Sequence, residues 1–203
     1  HHSLNVANLA EASANEIGAN AMLVRVGALY HDIGKMKNPT FFTENQSTGI
    51  NPHDELSAKE SANVIVNHVL DGIEIAKKNN LPDRVIDFIR THHGTSTIYY
   101  FYMKEKSVIE DADEKDFSYL GPKPFSKETA ILMMCDSVEA ASKSLKLPTS
   151  TKINAFVENI IDKQVENGQF LNADITFRDI ESIKKVLKLK LANIYHLRIE
   201  YPE

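Results

Sequence analysis

Apolar residues recur along the chain mostly at three- and four-residue intervals: Leu4, Ala7, Leu9 and Ile17 first, then Leu23, Val26, Leu29, Tyr30 and Ile33. Such spacing gathers them on one side of a helix. It predicts two opening helices that meet near Gly18, with Gly34 as a candidate C-cap of the second and Pro39 opposing continuation. From Asn38 to Asp54 the period fades and Pro39, Gly49 and Pro52 intervene, so a long loop is expected beside the second helix. Ser57-Ala58-Lys59-Glu60 has the form of a capping box and restarts a helix carrying Val64, Ile65 and His68, with the pattern resuming from Ile73 to Lys78. Pro82 suits the first turn of a helix running through Val85, Phe88 and Ile89 to His92.

Between Lys104 and Pro124 the composition turns acidic and loop-like, through Glu110, Asp111, Asp113, Glu114 and Asp116 to Gly121-Pro122-Lys123-Pro124, which predicts a mobile, solvated surface excursion. Ser126 caps a helix that contains Asp136 and Glu139. Two more helices, about Lys152 to Glu166 and Phe177 to Leu197, bracket Gly168, with a short irregular turn at Asp174 to Thr176. No internal repeat and no alternating pattern long enough for a sheet is present, so the fold class is all-α, a helical bundle.

The length of 203 residues, 42% of them hydrophobic, supports one sizeable core, and residues 1–203 are read as a single domain. A net charge of −5 leaves no global basic field for long nucleic acids, so a small anionic ligand would need metal ions or placed lysines. The single cysteine, Cys135, lies in the apolar run Ile131-Leu132-Met133-Met134 and reads as a reduced core thiol, which fits a reducing compartment. Arg25 interrupts the run from Ala21 to Tyr30 and Asp136 ends the one after Glu128, so no stretch reaches the roughly 18 to 20 apolar residues of a membrane span. The chain itself is expected to be soluble. It opens at His1 without a methionine and in helical pattern by Ser3, so an upstream segment is expected to be missing; His1, and even His2, could by themselves be a tag remnant.

The candidate chemistry lies in His2, the pair His31-Asp32, His68, the pair His92-His93 and Asp136, which take up five of the eight histidines. A lone histidine at a helix end is more often a cap or a satisfied core group. Here each member falls near the end, or on the apolar side, of a different helix, as needed for helices converging on one polar pocket. Imidazoles supply neutral borderline ligands and carboxylates supply charge and can bridge two ions, with Asp32 the natural bridge. The mixture suits iron, manganese or zinc better than magnesium. Two ions roughly 3.5 to 4 Å apart would lower the pKa of a shared water, giving a hydroxide that attacks phosphorus in line. Lys35, one turn beyond His31-Asp32, has two equal readings by position: a cation on a non-bridging phosphate oxygen, or a lysine complementing a helix C-terminus.

The run His31-Asp32-Ile33-Gly34-Lys35, preceded 29 positions earlier by His2-Ser3-Leu4 and followed by His68, His92-His93 and Asp136, resembles the di-metal phosphodiesterases of the HD superfamily. Within it the chain is most similar to the cytoplasmic domain of the seven-transmembrane HD proteins, which hydrolyse cyclic di-AMP. The likeness covers nearly the whole chain, including Phe41-Phe42-Thr43-Glu44-Asn45-Gln46, Asn51-Pro52-His53-Asp54, His92-His93-Gly94-Thr95, Gly121-Pro122-Lys123-Pro124 and Asp136-Ser137-Val138-Glu139-Ala140.

The resemblance implies that His2, His31, Asp32 and Asp136 hold one metal while Asp32, His68, His92 and His93 serve a second. The ions would be two divalent transition metals, iron or manganese ahead of zinc. The implied reaction is hydrolysis of cyclic di-AMP to linear 5'-pApA by a metal-bridging hydroxide, with Asp32 and Lys35 as catalytic residues and Lys35 also contacting substrate. Membrane helices would lie upstream, with this domain on the cytoplasmic face. His93 is followed by Gly94-Thr95-Ser96 and not by the glycine-tyrosine-proline signature of the HD-GYP branch, which favours an adenine-containing ligand. His53 reads as a loop residue near the site and His196 as helix packing or surface. Two other functions fit the fold: an HD nucleotidase or triphosphohydrolase using one ion, and a silent nucleotide-sensing module.

Overall fold

A computed structural model describes residues 1–46 and 49–195; the expected end of the last helix at Leu197 and the reading of His196 lie outside the described residues. Among the described residues there are eight α-helices and no strand: α1 (His2–Ile17), α2 (Ala21–Tyr30), α3 (Ala58–Lys78), α4 (Asp83–Thr91), α5 (Tyr99–Lys106), α6 (Lys127–Ser142), α7 (Ser150–Glu166) and α8 (Phe177–Ile194). Their starts follow local chemistry. Asn20, Thr149 and the capping boxes at Ser57, Ser126 and Thr176 each accept a hydrogen bond from a backbone N–H of the first turn that has no partner within the helix. Gly18 closes α1 in the left-handed conformation, as its position predicts.

The main core joins α1, α2, α6, α7 and α8 through Val6, Ala10, Val24, Met134, Ile153, Ile183 and Leu187. Helix α6 runs through its middle: Ile131, Leu132, Met133, Met134 and Cys135 are consecutive and all buried, so every side of that turn meets protein. Asp136 follows directly and is carried into the interior by the same packing. A second small cluster, Ala76, Ile86 and Ile89, joins α3 to α4.

Two expectations need correction. Gly34 does not cap α2, which ends at Tyr30; it lies inside a 3-10 turn over Ile33–Lys37. Its reason is contact: a Cβ there would fall 1.8 Å from the His68 carbonyl oxygen and 2.6 Å from the Gly72 nitrogen. The turn thus presses against α3. The acidic stretch is also not wholly a solvated excursion. Helix α5 reaches Lys106, and Phe117 is 1% exposed in a cluster with Ala58, Ala62 and Phe101. The intervening residues 108–111 and 113–116 are exposed, as their charge requires. Helix α5 has no counterpart in the apolar period, because Tyr99 and Tyr100 stay exposed and only Phe101 is buried.

The loop expected over Asn38 to Asp54 contains short 3-10 turns at Pro39–Phe41, Thr43–Asn45 and Pro52–Glu55. His53 pins it: its ring nitrogen Nε2 is 2.9 Å from the Phe41 carbonyl oxygen, and the ring packs on Phe41 and Phe101.

Because the space beside Gly34 is filled by backbone, which cannot rotate away, Gly34→Ala is expected to destabilise the fold by about 3 kcal/mol. Thermal unfolding would measure it, and an unchanged midpoint would refute the close approach of this turn to α3.

Candidate metal centre

Five helices deliver seven side chains to one place. His2 stands at the start of α1, His31 and Asp32 just past the end of α2, His68 in the middle of α3, His92 and His93 just past the end of α4, and Asp136 in α6. They form two groups with mutually close donor atoms, Asp32 with His68, His92 and His93, and His2 with His31 and Asp136. Asp32 faces both: Oδ1 is 3.5 Å from the Nε2 atoms of His68 and His92, and Oδ2 is 3.4 Å from His2 Nε2 and 3.3 Å from His31 Nε2. Asp136 Oδ1 lies 3.0 Å from His2 Nε2 and 3.4 Å from His31 Nε2.

The donor set has a feature that only a cation resolves. His31, His68 and His92 each direct Nδ1 to the carbonyl oxygen three residues earlier, Ala28 at 2.6 Å, Ile65 at 2.5 Å and Ile89 at 2.8 Å. A carbonyl can only accept, so each Nδ1 carries the proton and, in the neutral ring, each Nε2 offers a bare lone pair. These Nε2 atoms point inward, and those of His68 and His92 face each other at 3.1 Å. His31 Nε2 and Asp32 Oδ1 are buried with no aligned hydrogen-bond partner among the described residues, while Asp32 Oδ2 meets the Lys35 ammonium at 2.7 Å. Converging electron pairs of this kind repel one another unless positive charge lies between them. The residues therefore fit metal ions.

In the ion-free protein, protons take part of that place. Burial disfavours the imidazolium of His2, but hydrogen bonds to Asp136, Asp32 and Glu139 outweigh it and raise the pKa to about 11. For His31, burial is likewise outweighed by the Asp32 charge and by the close approach of the Asp136 and Asp32 carboxylates to Nε2, giving about 10. Both carboxylates, Asp32 and Asp136, stay well below the usual range despite burial, because these histidines hold the ionised form. His68 behaves in the opposite way: burial and the neighbouring His92 push it down to about 4, and His93 is also lowered by burial, His92 and His68. His2 and His31 are thus loaded with protons, whereas His68 and His93 are held neutral.

Lys35 is not at the C-terminus of α2 but in the last turn of the 3-10 segment Ile33–Lys37. Its Nζ is 2.7 Å from Asp32 Oδ2 and also pairs with Glu44, and these two carboxylates raise its pKa against the effect of burial. Lys35, Met36, Glu44 and Lys143 line a cleft of about 660 Å³ that reaches His2 and Asp32. Three neighbours were not singled out from sequence. Glu139 accepts from His2 Nδ1 and from Asn5 Nδ2, which fixes the His2 ring. Glu44 pairs with Lys35. Tyr119 stacks on His93, with ring centroids 4.2 Å apart and 20° between planes. A glutamate one turn after Asp136 was the only one of these signals visible locally; the others depend on tertiary approach.

Helices that bring seven histidine and aspartate side chains to one place define a class of all-helical domain with a cluster that could hold metal ions. The chain belongs to the HD domain family, whose model matches residues 1–141. It is 50% identical over its whole length to the cyclic-di-AMP phosphodiesterase PgpH of Listeria monocytogenes serotype 1/2a (strain 10403S) and 46% identical to that of Bacillus subtilis (strain 168). It spans only 28% and 29% of those proteins. The crystal structure of the L. monocytogenes PgpH HD domain in complex with cyclic di-AMP superposes with a TM-score of 0.94 at 49% identity, covering 99% of this chain and 93% of that one. Among the described residues no helix is long and apolar enough to cross a membrane.

Because His2 and His31 are protonated at neutral pH and a metal ligand must give up that proton, ion uptake is expected to release about two protons, and affinity should fall as pH drops. The sign follows from pKa values raised above neutrality. Calorimetry of manganese(II) binding in buffers of different ionisation enthalpy measures the release; a heat independent of buffer would contradict it.

Proposed function

We propose that this chain, as one HD phosphohydrolase domain over residues 1–203, hydrolyses cyclic di-AMP to linear 5'-pApA with two divalent transition-metal ions. The observation that carries the reading is the likeness, at 49% identity and a TM-score of 0.94, to an HD domain solved with cyclic di-AMP. Helices α7 and α8, which lie beyond the part matched by the family model, contribute Ile153, Ile183 and Leu187 to the same core as α1 and α6, which supports treating the chain as one unit.

His2, His31, Asp32 and Asp136 would hold one ion, and Asp32, His68, His92 and His93 the other, with Asp32 shared because its two oxygens face the two groups separately. A donor set rich in imidazole suits iron or manganese, with zinc behind them and magnesium disfavoured. When bound, such a pair lowers the pKa of a water and withdraws charge from the phosphate.

The protein's own groups do the rest. The Nδ1 bonds to backbone carbonyls hold His31, His68 and His92 in one ring orientation. Lys35, held charged by Asp32 and Glu44, reaches the cleft and would donate to a non-bridging phosphate oxygen as negative charge grows there. The mobile proton of the reaction need not come from Lys35, whose raised pKa keeps it an ammonium throughout. The domain is a part of a longer protein, and we place it on the cytoplasmic face of a membrane, where the buried Cys135 thiol, pushed up by burial to about 12, stays reduced.

Incubating iron- or manganese-loaded protein in parallel with cyclic di-AMP and cyclic di-GMP, with separation of products, should give 5'-pApA from the first and little turnover of the second. Binding without any linear product would replace hydrolysis by sensing, and a firm content of one metal per chain would favour a nucleotidase. Asp32→Ala is expected to abolish turnover, and comparable activity in that variant would end its assigned role. Lys35→Met should lower kcat by roughly a hundredfold while leaving metal content unchanged; an unaltered kcat would restrict Lys35 to pairing with its two carboxylates.

A further inference from the structure

Among the five cluster histidines, four have the outer ring nitrogen tied down: His31, His68 and His92 to backbone carbonyls, and His2 to Glu139. His93 differs. Among the described residues neither of its ring nitrogens has a hydrogen-bond partner; its ring packs at a tilt on His92 at 4.0 Å and edge-on against His68 at 5.2 Å, and the near-parallel face against it is that of Tyr119 at 4.2 Å. We propose that Tyr119 is the positioning residue for His93, replacing by ring stacking the hydrogen bond that orients every other histidine of the cluster.

The backbone around both rings is built to hold that stack. Tyr119 N–H donates to the Ser96 carbonyl at 2.9 Å and Ile98 N–H to the Phe117 carbonyl at 2.7 Å, with an antiparallel bridge between Thr97 and Ser118. Phe117, two residues before Tyr119, anchors the segment in the interior. On the other side, Gly94 follows His93 at φ +50°, and the buried Gln169 side chain accepts from Thr95 N–H at 3.0 Å. A Cβ at position 94 would meet Gln169 Oε1 at 2.3 Å, so this glycine also serves close packing. The two segments that carry the rings are thereby clamped to each other, which fixes the Cα positions from which both rings project.

A stack constrains a ring differently from a hydrogen bond. It fixes the plane but leaves the choice of protonated nitrogen open, because no acceptor selects it. His93 is therefore aimed at its group without being locked in tautomer. The stacking surface, and not the hydroxyl, should carry the effect, since burial and nearby carboxylates, with no hydrogen bond among the causes, set the state of the phenol.

The inference rests on the two-ion reading above, and the test separates the two. Manganese(II) binding is measured by competition with a chromophoric chelator on the wild type, Tyr119→Leu, Tyr119→Phe, His93→Ala and the double variant Tyr119→Leu/His93→Ala. The wild type should take up two equivalents. Tyr119→Leu should weaken one of them by roughly tenfold and leave the other unchanged, whereas Tyr119→Phe should match the wild type. On the His93→Ala background, Tyr119→Leu should add no further loss.

Retention of both equivalents at wild-type affinity in Tyr119→Leu overturns the assignment, as does an equal loss in Tyr119→Phe or a further loss in the double variant. The unaffected ion reports folding; if Tyr119→Leu loses that ion too, Tyr119→Met fills similar space and decides the matter by the same criteria. A wild type that binds one equivalent defeats the two-ion reading itself, and this assignment with it.

Discussion

The structure depends on balancing charge in a dry place. Asp32 and Asp136 are buried carboxylates, and an unpaired buried carboxylate is strongly unfavourable. They remain ionised because His2, His31 and Lys35 surround them with positive charge. The imidazoles in turn are aimed by the helices themselves. The last carbonyls of a helix have no intrahelical donor, and Ala28 and Ile89 are such residues near the ends of α2 and α4. Their oxygens accept from the Nδ1 atoms of His31 and His92, so a backbone need that any helix end must meet also orients the inward nitrogens.

Placing these helix ends around one point requires close approach elsewhere. The turn over Ile33–Lys37 must lie against α3 for Asp32 to face His68, and Gly34 allows it. Helix α6 can carry Asp136 inward only because its preceding turn is apolar all round and covered by α1, α2, α7 and α8. The apolar core and the polar cluster are thus consecutive parts of one helix, and the burial of the first sets the position of the second.

Much of this was legible in the chain. The three- and four-residue period locates α1 to α4 and α6 to α8, and the cluster residues stand out because each falls near a helix end, as His2, His31, Asp32, His92 and His93 do, or inside a helix, as His68 and Asp136 do. Gly34 was misread since a glycine after a helix satisfies a cap and a close contact equally well, and periodicity cannot distinguish them. Tyr119 was hidden for another reason: it closes an acidic stretch whose average composition describes residues 108–116 but not Phe117 or Tyr119. Glu139 lies 137 positions from His2, and only folding joins them. Lys35 had two readings of equal weight; it lies beyond the end of α2, in the last turn of the 3-10 segment Ile33–Lys37, with its ammonium paired to Asp32 and Glu44.

The protonated half of the cluster gives the ion-free fold a reason to persist. Four carboxylates, Asp32, Asp136, Glu139 and Glu44, face four cations, His2, His31, Lys35 and Lys143, so the ion-free site is close to neutral. On the proposed reading, exchanging two protons for two divalent ions leaves the cluster two charges more positive. Cyclic di-AMP carries two phosphodiesters and hence two negative charges, so the loaded cluster would be matched in charge to this proposed substrate, whereas the ion-free cluster would not. A site organised in this way attracts the dinucleotide chiefly after the ions have entered, because only then does an uncompensated field reach into the cleft beside Lys35.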